Sequence, residues 1–507
     1  MAQRDPKPDA SMQPIRPREF GYDHARHLLV RAGFGGPPEQ VRALSAMGPE
    51  RAVDLLLNVE KTPWAADDGD RFEKGVVVPL TPEQRRERRE AARRGDEDAL
   101  ARFRLLQQRM ERDDRAQIAQ MQRWWLTRMI ETPRPLEEKM TLFWHGLFAT
   151  SHRKVENAEA MLAQNRLFRA NASGDYSKIL FGVIRDPAML AYLDNGASTR
   201  QRPNENLARE LMELFSLGEG QYTEKDIREG ARALTGYSFE GARFVFRQSA
   251  HDDGPKAILG RSGPLDGEGF VQAILESPAC SRRLALRLYR YFVDHDAPDD
   301  HREAPPAAQH ALRAMATDIR AARYNVRPAL RRLFLSQFFY EPAHQSRQIK
   351  TPVELVVGAV RTLRTPVRDL GVLCDALDRM GQGLFFPPSV AGWAGGRTWI
   401  NTSTLFIRQN ILVYLLTGRT PAGVDAMAHA QRYDPSPILA DLAREPPGSE
   451  RDPERLAQYL ARLALGPAGD RLAPELARFA RERAAITPDV VTAMLVIATA
   501  APEHQLT

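Results

Sequence analysis

Short helical runs with marked ends constrain this chain most. From Tyr22 onward the pattern reads HARHLLVRAG, PPEQVRALSAMG, PERAVDLLLN, and it continues in kind almost to the C-terminus. Apolar residues recur three and four positions apart, as on one face of a helix. Proline stands where a first helical turn tolerates it, and glycine or asparagine closes the run. A chain punctuated this often cannot form a few long rods. It has to bury many short amphipathic faces against one another, so the expected fold is mainly α, a multi-helix globular bundle. One stretch departs from the rule. Around residues 237–270, YSFEGARFVFRQ alternates apolar and polar residues and HDDGPKAILGRSGPLDGEG is rich in turn formers. A β-hairpin or a turn-rich ordered excursion is expected there.

The 507 residues are 43% apolar and 27% charged, enough to build a sizeable core. Residues 1–18 are polar and proline-containing and read as a flexible N-terminal arm. A main helical domain is expected over 19–420, and a C-terminal helical subdomain packed on it over 421–507. Within the main domain, 81–132 is a charged helical segment. Thr81 is a good N-cap, Pro82 follows at the first helical position, and Gly95 breaks the run. The basic run RRERREAARR reads as a solvated helix face, because interleaved glutamates neutralise it; an RNA- or membrane-binding patch is the other reading.

A net charge of +6 from almost balanced acids and bases speaks against a sequence-specific nucleic-acid reader. No apolar run approaches membrane-spanning length. The N-terminus as written has no apolar leader, which points to the cytoplasm. Cys280 and Cys374 lack CxxC neighbours, leaving one disulfide or two buried thiols. No HExxH, P-loop, EF-hand, GxSxG or dinucleotide fingerprint occurs, so the common chemistries built on them lose weight.

The stretch richest in chemistry is RPNENLARELMELFSLGEG, Arg202 to Gly220. Asn204 is a favourable N-cap and Gly218 a plausible stop. At 100° per residue, Glu205, Asn206, Arg209, Glu210 and Glu213 share an arc of roughly 140°. Arg209 is spaced to bridge Glu205 and Glu213. Such a face is either an ordinary salt-bridged surface or the carboxylate-rich wall of a cleft, where clustered acids suit general acid–base work or cation binding. The next segment, YTEKDIREGARALTGY, carries a capping-box spacing from Thr223 to Asp226.

Several other residues are candidates. His145 lies in the apolar run LFWHGLF, as a core histidine or as a ligand or catalytic group. His24 and His27 are three apart on one helix, a spacing that allows a single divalent metal. His251 and Asp252 sit in HDDG, either a metal-binding or ligand-binding turn or a type I turn held by Asx hydrogen bonds. In PPSVAGWAGGRTWIN, glycines beside Trp393 and ahead of Asn401 allow either close ligand approach or a packed loop with buried indoles.

Taken together, HLLVRAGFG (27–35), FWHGLFATS (143–151), IRDPAMLAYLDN (184–195), PNENLARELMELFSLG (203–218), YTEKDIREGARALTGY (222–237), HDDGPKAILG (251–260), KTPVELVVGAVR (350–361) and PPSVAGWAGGRTWINTSTLFIRQN (387–410) resemble the bacterial family known as domain of unknown function 1800. The ending AAPEHQLT is similar as well. The resemblance implies an exported helical protein, hence periplasmic if a leader has been removed. It also implies a partner from a sulfatase-like family, domain of unknown function 1501. Where that family typically has His-x-His-Phe, this chain has His145-Gly146-Leu147-Phe148 and lacks the second histidine.

Two expectations follow. One is an enzyme performing hydrolytic or transfer chemistry in a polar cleft, with Glu205, Arg209, Glu210, Glu213 and His145 as its catalytic set. Asn204, Asn206, His251, Asp252, Trp393 and Asn401 would bind the substrate. The other is a non-catalytic scaffold or maturation partner in which the same charges form internal ion pairs.

Overall fold

The computed structural model describes residues 12–65, 67–419, 433–444 and 448–507. The expected mainly α bundle is found: the described residues hold 23 α-helices and two small two-stranded sheets. Local signals account for many helix ends. Thr81 and Gln84 form a capping box at the start of Pro82–Arg94. Gly95 ends that helix in the left-handed conformation, and Asp96 caps the 35-residue helix Glu97–Glu131. In the excursion, Tyr237–Glu240 pairs antiparallel with Arg243–Phe246, and Lys256–Ile258 with Arg261–Gly263.

The helix Pro135–Leu147 holds the middle. It contributes Leu136, Met140, Phe143, Trp144 and Leu147 to one apolar cluster and Leu142 to a second. The first cluster gathers helices between residues 22 and 340. The second joins the end of the long helix to segments around 353–385, 411–416 and 456–498. A helix buried on every side must pair its charges internally, because an unpaired buried charge costs several kcal/mol. Glu138 accepts hydrogen bonds from Trp125 Nε1, Arg128 and Arg169, and Lys139 pairs with Glu354.

Residues 1–11 of the expected arm and the proposed boundary near 420 lie outside the described residues. Residues 12–15 dock: Met12 and Ile15 are buried, and Ile15 N–H donates to Leu335 O at 2.8 Å. The C-terminal residues are also wedged in, with Arg31 donating to Thr507 Oγ1 at 2.7 Å and Arg408 to Gln505 Oε1 at 2.7 Å. Cys280 and Cys374 are buried free thiols. No described helix is long and apolar enough to cross a membrane.

Candidate functional site

The stretch Asn204 to Gly218 folds as the helix Asn206–Glu210, which widens into a π-helical turn over Leu211–Ser216. Asn204 acts one step before the cap position: its Oδ1 accepts the Asn206 N–H at 2.9 Å and its Nδ2 donates to Asp194 O at 3.0 Å. The wider turn is stabilised from outside and within. Tyr176 donates its hydroxyl to Phe215 O at 2.6 Å, Ser216 donates to Leu211 O, and Leu217 N–H reaches back to Met212 O at 2.8 Å. Wide turns of this kind recur at functional sites.

The polar face divides in two. At its N-terminal end Arg209 is consumed by Glu224, to which it donates two hydrogen bonds of 3.0 and 3.1 Å, and by Glu205 at 3.4 Å. It does not bridge to Glu213 as the spacing suggested, because the following helix Glu224–Ala233 brings a closer carboxylate. Asn206 is exposed. At the other end Glu213 accepts the Tyr222 hydroxyl at 2.7 Å. Glu210, half-buried between these groups, has no hydrogen bond or ion pair to any described residue. Burial, with Glu213 adding to it, pushes its pKa up against the pull of Arg209.

Glu213, Leu214, Leu217 and Gly218 form one wall of a cleft of about 730 Å³. Arg282, Arg283 and Leu286 of the helix Pro278–Phe292 face them, with Arg313 of the helix Pro306–Ala321 and the Asp299–Arg302 loop alongside. Arg283 and Arg290 share one oxygen of Asp299, at 2.6 and 2.9 Å. Arg283 Nε is buried without a partner, and Arg282 has none among the described residues. Behind them burial lowers the Arg287 pKa to about 10, with Arg283 and Arg290 adding to the effect. Sequence reading passed over this arginine column. Its signal was present, since positions 283, 287 and 290 follow helical spacing within an otherwise apolar run.

The other expected residues lie elsewhere. His145 is enclosed by the rings of Trp125, Phe168, Phe385 and Trp393, with centroids 5.5–6.3 Å away. Burial takes its pKa down to about 3, and neither ring nitrogen has a partner. Trp393 Nε1 is also buried and unpaired. Asn401 caps the helix Thr402–Thr417 through Thr404 N–H, at 2.9 Å. His251 Nδ1 bonds Thr235 O at 2.7 Å, while Asp252 pairs with Arg232 at 2.8 Å and accepts Gly254 N–H at 2.9 Å. The HDDG turn is thereby fastened to the helix Glu224–Ala233. His27 bonds Phe339 O at 3.1 Å, and His24 lies edge-on to Tyr340. No cluster of three or more His, Cys, Asp or Glu side chains suited to a metal occurs among the described residues.

A bundle of short helices with a charge-lined cleft beside a π-helical turn defines the class: a mainly α protein carrying a large cleft with charged side chains in its walls. The family model described as "Protein of unknown function (DUF1800)" matches residues 27–506, and the chain belongs to that family. No curated protein and no solved structure matches it.

Proposed function

We propose that the cleft binds an anionic, oxygen-rich small molecule and acts on it by hydrolytic or transfer chemistry. The observation that carries this reading is the arrangement of Arg282 and Arg283, with donors left free, opposite a carboxylate held in place by a phenol. Guanidinium groups with unspent donors suit sulfate, phosphate or carboxylate oxygens. Glu213, oriented by Tyr222, is the general base. Glu210, three residues earlier and behind the lining residues of the cleft, has its pKa raised by burial and by Glu213 and is the carboxyl group that keeps its proton longer. Arg209 and Glu205 brace this wall through Glu224 and do not contact the ligand. A sugar- or sulfate-bearing compound is the substrate class suggested by analogy with the sulfatase-like partner family that the resemblance implies.

Calorimetric titration with a sulfated monosaccharide and its unsulfated parent tests the reading. The sulfated compound is expected to bind and the parent not. Arg283→Ala should weaken binding about 10- to 100-fold, the loss of a charge-assisted contact of roughly 1.5–3 kcal/mol. Equal binding of the two compounds, or an indifferent Arg283→Ala, removes the anion site.

A second reading is a scaffold for a protein partner, such as the sulfatase-like family. It draws support from Arg209, whose charge is spent on Glu205 of its own helix and Glu224 of the next. Glu210→Gln separates the two. An enzyme loses turnover at nearly unchanged melting temperature, whereas a structural carboxylate loses stability.

A further inference from the structure

We propose that His152 and Asp114 form a general acid–base dyad serving a second, more apolar cavity, which takes a small acyl ester. The two residues come from separate elements. Asp114 is buried in the long helix Glu97–Glu131, and His152 opens the short helix His152–Val155. His152 Nε2 lies 2.7 Å from Asp114 Oδ2, and Asp114 Oδ1 accepts the Ala158 N–H at 2.7 Å. Both carboxylate oxygens are thus engaged, and the carboxylate selects the imidazole tautomer protonated on Nε2. That leaves Nδ1 as the basic nitrogen, and it has no partner among the described residues. The backbone N–H of His152 donates to Phe385 O at 3.0 Å, and Phe386 packs edge-on to the ring at 5.6 Å.

His152 lines a cavity of about 480 Å³ whose apolar walls include Met110, Ile118 and Phe386. Arg153 stands beside it with its guanidinium 5.7 Å from the Phe386 ring centre. A carboxylate that orients an imidazole lining a cavity, with the second nitrogen unpartnered, is the arrangement proton transfer needs. None of these residues belongs to the arginine-walled cleft, so the two proposals stand or fall separately. The chemistry is hydrolysis. Nδ1 takes a proton from water as the water oxygen bonds to the ester carbonyl carbon. The tetrahedral intermediate then breaks its bond to the alcohol oxygen, and Nδ1 returns the proton to that oxygen. An acid and an alcohol leave, the histidine is regenerated, and nothing is oxidised or reduced. Asp114 is a positioning residue, since it acts through the imidazole.

The experiment is saturable release of p-nitrophenolate from p-nitrophenyl acetate and butyrate by the full chain. Wild type is expected to exceed His152→Gln by about 100-fold or more in kcat, the usual range for a positioned acid–base group. Asp114→Asn should lower kcat at unchanged KM, and Asp114→Glu should restore part of it. If wild type is no faster than His152→Gln, or its release does not saturate, the proposal is overturned. Should His152→Gln fail to fold, the Asp114 pair decides: full kcat in a folded Asp114→Asn protein overturns it.

Discussion

Replacing Glu138 by glutamine is expected to cost about 4 kcal/mol of stability. Glu138 is fully buried. Its two oxygens accept four hydrogen bonds: Trp125 Nε1 at 2.9 Å, Arg128 Nε at 2.9 Å, and Arg169 Nε and Nη2 at 2.8 and 2.9 Å. Three of these come from guanidinium groups. Glutamine keeps one acceptor and turns an NH2 group toward donors, so two N–H groups lose their partner: those of Arg128 Nε and Arg169 Nε, or those of Trp125 Nε1 and Arg169 Nη2. Breaking a buried ion pair from one side costs roughly 3–5 kcal/mol, because the surviving charge stays buried. Arg128 retains the Asp67 carbonyl at 2.6 Å and a carboxylate oxygen of Asp68 at 3.2 Å, which keeps the loss from the top of that range. Arg169 loses one of its two bonds to residue 138 in either amide orientation and has only Asn165 Oδ1, at 2.6 Å, besides, so it bears most of the loss. The assay is equilibrium urea unfolding followed by far-UV circular dichroism, with the midpoint shift converted through the measured slope. A loss below about 1 kcal/mol would refute the reasoning, since it would show the arginines finding water or other partners at little cost. Adding Arg169→Met to Glu138→Gln should recover part of the loss, because the orphaned charge goes with it.

Two further outcomes follow from single groups. Burial pushes the Asp186 carboxyl up from 3.8 to about 7, against hydrogen bonds from Gln164 and the Ala188 and Met189 amides. Between those values the folded chain keeps a proton that the unfolded chain has released. This residue's contribution to stability is therefore fully present below the unfolded value and declines as pH rises to about 7. The difference in unfolding free energy between wild type and Asp186→Asn should shift against wild type from pH 4.5 to 7.5, and a pH-independent difference contradicts the assignment. Gly392 has φ +82°, and a Cβ there would collide with the Gly146 carbonyl oxygen. Gly392→Ala should destabilise by more than ~1 kcal/mol in thermal unfolding; an unchanged midpoint would mean that the loop moves aside freely.

Much of the architecture was legible because its causes are local. The caps at Thr81 and Thr223 each close over three residues. The break at Gly95 and the hairpins after 237 depend on backbone preferences that neighbouring residues set. The candidate site was legible only in part. The PNENLARELMELFSLG segment does reach a large cleft, but through Glu213 and the residues after it and not through Arg209. Periodicity shows which residues share a face. It cannot show which carboxylate on the next helix lies nearer to an arginine. The arginine column at 283, 287 and 290 went unread because a basic stripe on an amphipathic helix ordinarily faces water.

The sequence by itself determined where helices begin and end, the mainly α class and the family. These rest on patterns within a few residues and on blocks preserved in order. Tertiary structure alone decided which charges meet. Lys139 finds Glu354 across 215 residues, and His152 finds Asp114 across 38. It also decided that His145 is sealed among aromatic rings while His152 lines a cavity. The physical reason is burial. A side chain's chemistry depends on the partners and the solvent left to it, and packing distributes both only after distant helices have come together.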